Sequence, residues 1–213
     1  MILKNLLKTF LFFTIFLSFK YKLTRNRNKH LKGTTLLLTS HPDDETMFFS
    51  PFILNNKNTF ILCLSGDAER KEEMKNWSKK SNIKSFCCDL IDNTDWDENK
   101  ILLLLENLFS YHKFTRIVTF DEYGVSGHKN HISCHKAVKS FVNSNDVQSL
   151  YLKSLPFYQK YGLFFSKGKC LFSCNFSQYF TSVKLMLCHR SQLKWFRVLY
   201  FIFSNYLFIN VYN

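Results

Sequence analysis

Short apolar runs alternate along the chain with longer segments whose apolar residues recur every three or four positions. The runs are TTLLLTS (34–40), TFILCLS (59–65), IKSFCCDLI (83–91), TRIVTF (115–120) and VQSLYLKSL (147–155). Each has the length and β-branched or aromatic content of a strand. Between them lie ETMFFSPFIL (45–54), AERKEEMKNWSKKSN (68–82), NKILLLLENLFSYHK (99–113) and NHISCHKAVKSFVNS (130–144), all with helical spacing. Strands alternating with helices predict an α/β fold: a mostly parallel sheet with helices on both faces. In such sheets ligands bind beyond the carboxyl ends of the strands.

Two polar constellations follow predicted strands. HPDDE (41–45) comes directly after the first run and stacks three carboxylates in a row. The segment 119–138, TFDEYGVSGHKNHISCHKAV, leaves the fourth run and carries His128, His131 and His135. Gly124 and Gly127 permit a tight turn there. Both segments are expected on one rim of the sheet. A histidine, a carboxylate and a second histidine from separate loops suit a catalytic metal site, which keeps one position open for water. His135, one turn beyond His131, reads as exposed.

The two ends have a different texture. From Thr9 to Phe19 there is no charged residue, and a basic cluster follows: Lys20, Lys22, Arg25, Arg27, Lys29 and Lys32. This predicts an uncleaved membrane helix within residues 1–32, with the remaining domain, 33–213, on the cytoplasmic side; an interfacial helix and a cleaved signal peptide are the competing readings. The C-terminal stretch mixes Trp195, Tyr200 and Tyr206 with Lys194 and Arg197, a composition suited to a membrane interface. A final core helix is the competing reading.

Composition narrows the class. The chain has 213 residues, 46% of them hydrophobic, and a formal net charge of +13, which points to an anionic partner. Seven cysteines include no C-x-x-C pair, so neither a disulfide framework nor a zinc finger is expected. No Walker or G-x-G-x-x-G loop is present, so no nucleotide cofactor is expected. GVSGH lacks the G-x-S-x-G pattern of a nucleophilic serine.

HPDDE, ERKEEM (69–74), IDNTDW (91–96), VTFDEYGVSGHKNH (118–131) and CHRSQLKWFRVLYFIFSNYLFIN (188–210) together resemble the N-acetylglucosaminyl-phosphatidylinositol de-N-acetylase family of glycosylphosphatidylinositol anchor biosynthesis. The resemblance implies a Rossmann-like sheet and a zinc-dependent hydrolase of the endoplasmic reticulum membrane, its domain facing the cytoplasm. It implies His41, Asp44 and His131 as zinc ligands, Asp43 as general base, and His128 as the group facing the oxyanion and protonating the leaving amine. Arg70, Asp95, His189 and Arg190 are implied as substrate-binding residues. The glycolipid is the implied partner, with no nucleic acid. Tyr123 stands where small residues are usual and is expected to narrow the sugar pocket. The alternatives are a deacetylase of a soluble N-acetyl sugar and a non-catalytic membrane or nucleic-acid binding protein.

Overall fold

The computed structural model describes residues 31–162 and 170–213, together with Lys8, Leu11, Ile15 and Ser18. The membrane helix expected within 1–32 therefore lies largely outside the described residues. Among those described, no helix is long and apolar enough to cross a membrane.

The five expected strands are β1 (Thr35–Thr39), β2 (Thr59–Ser65), β3 (Ser85–Leu90), β4 (Arg116–Phe120) and β5 (Gln148–Leu152). They pair in parallel in the order β3-β2-β1-β4-β5. β1, β2 and β4 are buried along their whole length. That is why they read as continuous apolar runs rather than alternating ones.

Two strands that the sequence reading did not anticipate extend the sheet. β6 (Cys170–Ser173) and β7 (Ile209–Tyr212) add on beside β5 in antiparallel pairing, making seven strands. The sheet is mixed, with a parallel core and an antiparallel edge. Strand order also changes the reading of the C-terminal stretch. Residues 204–212 are buried, and the Tyr206 hydroxyl accepts from the Leu155 amide and donates to the Lys153 carbonyl. Tyr206 is a core residue, not an interfacial one.

ETMFFSPFIL becomes two short helices, α1 (Asp44–Met47) and α2 (Ser50–Asn55), with Pro51 in the first turn of α2. Proline is tolerated there because the first-turn amides have no intrahelical partner. Next come α3 (Ala68–Ser81), α4 (Glu98–Tyr111), α5 (Gly124–Gly127) and α6 (Lys129–Ser144). Side chains of Asp67 and Asp97 cap α3 and α4. The remaining helices are α7 (Phe157–Tyr161), α8 (Phe176–Met186) and α9 (Trp195–Phe203). α4 packs on α6, and α8 packs on α1, α2 and α3. Right-handed crossovers put these two groups on opposite faces of the sheet, because the chain reverses direction after β3.

That reversal fixes where a site can form. β1 runs on to β2 on one side, while its other neighbour is β4. Loops leaving β1 and β4 thus diverge around a crevice at the switch point. HPDDE leaves β1 and the histidine segment leaves β4.

Candidate active site

Residues 40–50 are all buried, including the three consecutive carboxylates. Charge this deep is stable only when paired and hydrogen-bonded. Each carboxylate here has a separate set of partners.

Asp44 is held by the backbone amides of Ser40 and His41, whose hydrogen bonds to Oδ2 measure 3.1 and 2.8 Å. His41 Nδ1 lies 3.6 Å from the same oxygen, and His131 Nε2 lies 3.4 Å from Oδ1. Burial works to raise the Asp44 carboxyl, but His131 and His41 hold it well below the usual carboxylate range.

Glu45 turns away from the crevice. Its Oε2 accepts from the Asp43 amide at 3.0 Å, and its Oε1 accepts from Thr46 Oγ1 and from His189 Nε2 at 2.7 Å. His189 is fully buried. A side chain with no exposed surface cannot touch a substrate, so His189 supports Glu45 rather than binding ligand. Burial lowers its pKa, and the Glu45 contact more than offsets this, so the net shift is upward.

Asp43 has φ of 125° and ψ of −25°. A non-glycine residue in this region is strained by about 1–3 kcal/mol and persists only where its surroundings hold it. Here Glu45 grips its amide, while its carbonyl accepts from the Thr46 and Met47 amides. The strain frees the side chain to meet two guanidinium groups. Arg70 approaches Oδ1 at 3.5 Å and Arg197 approaches Oδ2 at 2.9 Å. Burial and the Asp44 charge push the Asp43 carboxyl up to about 7 against the pull of these arginines.

The histidine segment is shaped by Gly124, whose φ is +58°. A Cβ there would come within 3.0 Å of the His131 Cβ. The close approach brings the Gly124 carbonyl 3.0 Å from His131 Nδ1. A carbonyl only accepts, so Nδ1 carries the proton. In a neutral ring Nε2 then presents its lone pair to the Asp44 carboxylate. Two acceptors facing each other call for a proton or a cation between them. His131 also stacks on Phe120, with centroids 3.9 Å apart.

His128 has the opposite tautomer. Its Nδ1 accepts from the Asn130 amide at 3.3 Å, which leaves Nε2–H as a donor facing the crevice. Burial and the neighbouring His131 and His41 lower its pKa. Donor atoms of His41, His128 and His131 lie within 4.8 Å of one another. His41 Nε2 is 2.8 Å from Asp92 Oδ1, yet neither atom makes a hydrogen bond of proper geometry. Burial lowers the His41 pKa, but contacts with Asp44 and Asp92 outweigh it, and the shift is upward. An imidazole-and-carboxylate donor set, with buried polar atoms lacking hydrogen bonds, fits a divalent cation.

Other expected residues divide. Arg70 is at the site, its Nη2 donating to the Pro42 carbonyl at 2.9 Å and its Nη1 3.4 Å from Asp92. Asp95 is not brought there: its exposed side chain pairs with Lys129 at 3.0 Å. IDNTDW instead contributes Asp92, because Asn130 anchors the loop by accepting from the Asn93 amide and donating to the Thr94 carbonyl. Arg190 is exposed, in a short 3-10 turn of residues Arg190–Gln192. Tyr123 is also exposed. His135 is half-buried rather than exposed, with Nδ1 3.2 Å from the Phe120 carbonyl. Sequence reasoning missed Asp92 and Arg197. The signal for Arg197 was a lone charge inside the apolar stretch WFRVLYFIF.

Arg70 and Asp92 line a polar cleft of about 460 Å³ together with Ser65, Gly66, Asp67 and Asp89. That volume is within the range of small-molecule sites.

Comparison with known proteins places the chain in a family. Residues 36–142 match the family described as PIG-L: GlcNAc-PI de-N-acetylase. N-acetylglucosaminyl-phosphatidylinositol de-N-acetylase of Bos taurus is 33% identical, over 90% of this chain and 88% of its own length. The enzyme of that name from Saccharomyces cerevisiae is 31% identical, over 83% of this chain and 80% of its own. In fold, the chain is similar to N,N'-diacetylchitobiose deacetylase from Pyrococcus horikoshii, with a TM-score of 0.59 at 13% identity, covering 80% and 76% of the two chains. The chain belongs to the GlcNAc-PI de-N-acetylase family.

Proposed function

We propose that this protein removes the acetyl group from N-acetylglucosaminyl-phosphatidylinositol, giving acetate and glucosaminyl-phosphatidylinositol. One observation carries the reading. A buried carboxylate, Asp44, faces His41 and His131, and its neighbour Asp43 is strained into contact with two arginines beside a polar cleft. Family membership supplies the reaction class.

His41, Asp44 and His131 would hold a divalent cation, which we take to be zinc. When bound, such an ion supplies Lewis-acid activation of water and of the acetyl carbonyl. Asp43 accepts the proton that water loses as its oxygen bonds to the carbonyl carbon. Arg70 and Arg197 keep that carboxylate in place. His128 Nε2–H would face the oxyanion, and its imidazolium form would give that proton to nitrogen as the C–N bond breaks, leaving a neutral ring. Glu45 and His189 position Asp43 through its backbone. Arg70 and Asp92 lie where sugar hydroxyls would be bound. We place the protein at the endoplasmic reticulum membrane with this domain on the cytoplasmic side, as its basic N-terminal flank favours.

Acetate release from N-acetylglucosaminyl-phosphatidylinositol tests the proposal. Asp43→Asn should fold, retain metal and lose turnover by about 10²–10⁴-fold. Near wild-type turnover would remove Asp43 from its role. Equal activity on soluble N-acetylglucosamine would shift the substrate class.

A further inference from the structure

α9 turns its charge inward and its apolar residues outward. Arg197 pairs with Asp43, and the Tyr200 hydroxyl donates to the Met47 carbonyl at 3.0 Å, so the helix is bolted to the catalytic rim. Trp195 is 76% exposed, and Phe157 on α7 is 78% exposed. Between α7 and α9 runs an apolar groove of about 460 Å³, lined by Phe157, Tyr161, Trp195, Phe196, Leu199 and Phe203. A smaller apolar cleft opens on the other flank of α9, formed by Val183, Met186, Leu187 and Leu193 with Val198. Contiguous exposed apolar surface of this kind marks an interaction site.

Charge selects the partner. All 16 acidic residues of the chain precede Val147, while residues 147–213 contain eight lysines and arginines. Arg190 and Lys194 are exposed beside α9. A second copy packed through the same face would set these cations against each other. Nucleic acid would use the charge and the aromatics. It has nothing to stack on exposed aliphatic residues such as Val198, Leu199 and Leu187. An anionic bilayer uses all three: cations at the phosphates, Trp and Tyr at headgroup depth, and aliphatic side chains below.

We propose that the α7–α9 face docks on an anionic phospholipid bilayer, with the groove receiving lipid acyl chains. Arg197 lines the groove and contacts Asp43, so the docked face and the proposed general base are one guanidinium apart. Docking needs no turnover, so bilayer contact and the proposed reaction can fail separately.

Trp77 and Trp96 are buried, which leaves Trp195 as the exposed tryptophan of the three in the chain. The full chain is placed in nanodiscs of phosphatidylcholine and phosphatidylserine brominated on the acyl chains. Trp195 emission should be quenched by the bromines and protected from aqueous iodide. Trp195→Phe should remove the quenchable component, and Leu199→Asp should remove most of the quenching. An N-terminal anchor cannot mimic this signal, because residues 1–76 contain no tryptophan. Trp195 open to iodide and untouched by bromine would overturn the proposal. So would shielding from iodide in the nanodisc without bromine quenching, which would mean that another segment or a second copy, not lipid, covers the groove. Quenching by single-stranded oligonucleotide that survives excess anionic lipid would assign nucleic acid instead.

Discussion

His41–Glu45 and α9 depart from ordinary burial in opposite directions. The first stretch is nearly all charged or polar and is buried. The second is nearly all apolar and is half exposed. In the first, every buried carboxylate has its own partners, so the cost of burial is met locally by arginines, histidines and amides. In the second, no described protein surface covers the exposed aromatics. The contrast teaches that buried charge marks where chemistry is arranged, whereas exposed apolar surface marks where something else must arrive. Arg197 belongs to both, reaching from the apolar helix to the charged loop.

The contrast breaks most severely at Asp44. Asp44→Ala removes the carboxylate that His41 and His131 share. Acetate release should fall to background, and metal content by mass spectrometry should fall with it. Full metal occupancy in this variant would take Asp44 out of the ligand set. His189→Ala comes next. It leaves Glu45 buried without its histidine, which should cost about 3–5 kcal/mol, or roughly 6–20 °C in melting temperature. A melt within a degree of wild type would mean that Glu45 is held by its other donors.

Gly124→Ala acts through the His131 ring. The added Cβ must displace the His131 Cβ, so metal affinity should drop by about 10–100-fold while the fold survives. Equilibrium dialysis against a competing chelator reads this directly.

Acidity sharpens the comparison further. The Asp43 carboxyl is raised to about 7, so the metal-free folded state holds a proton there that the unfolded chain has lost. His41 and His189 are also raised, so their stabilisation is present below about 6.5 and is lost as pH rises through their folded values. The sign is the same for all three; the lowered His128 opposes them, gaining stability as pH rises through its unfolded value, but it is one group against three. Chelator-treated protein should melt a few degrees lower at about pH 8 than at about pH 6.5, and added zinc should close the gap. A melt that rises with pH would contradict the assigned environments. The smallest effect is expected on the apolar side: Leu199→Ala should change stability by no more than about 0.5 kcal/mol, as at other exposed positions.

β1, β2 and β4 were legible because they are buried along their whole length and therefore run as unbroken apolar segments. HPDDE and GVSGHKNH were legible as a pair because each ends such a run. Asp92 was not, since the choice between Asp92 and Asp95 depends on how Asn130 anchors a loop from another element. Arg197 and His189 were hidden for the same reason: their partners, Asp43 and Glu45, are about 150 residues earlier. β6 and β7 are only four residues each, too short to show a period, and their aromatics mimic an interfacial composition. Tyr200 and Tyr206 look alike in sequence to Trp195, but only long-range packing decides that they turn inward.

β7 lies between β5 and β6, both of which precede it in the chain, and its Asn210 reaches the α1–α2 corner by donating to the Phe48 carbonyl and accepting from the Phe52 amide. During synthesis the ribosome must therefore deliver residues 209–212 before the sheet can close. Until then the nascent domain waits with an open β5 edge and an unlatched α1–α2 corner.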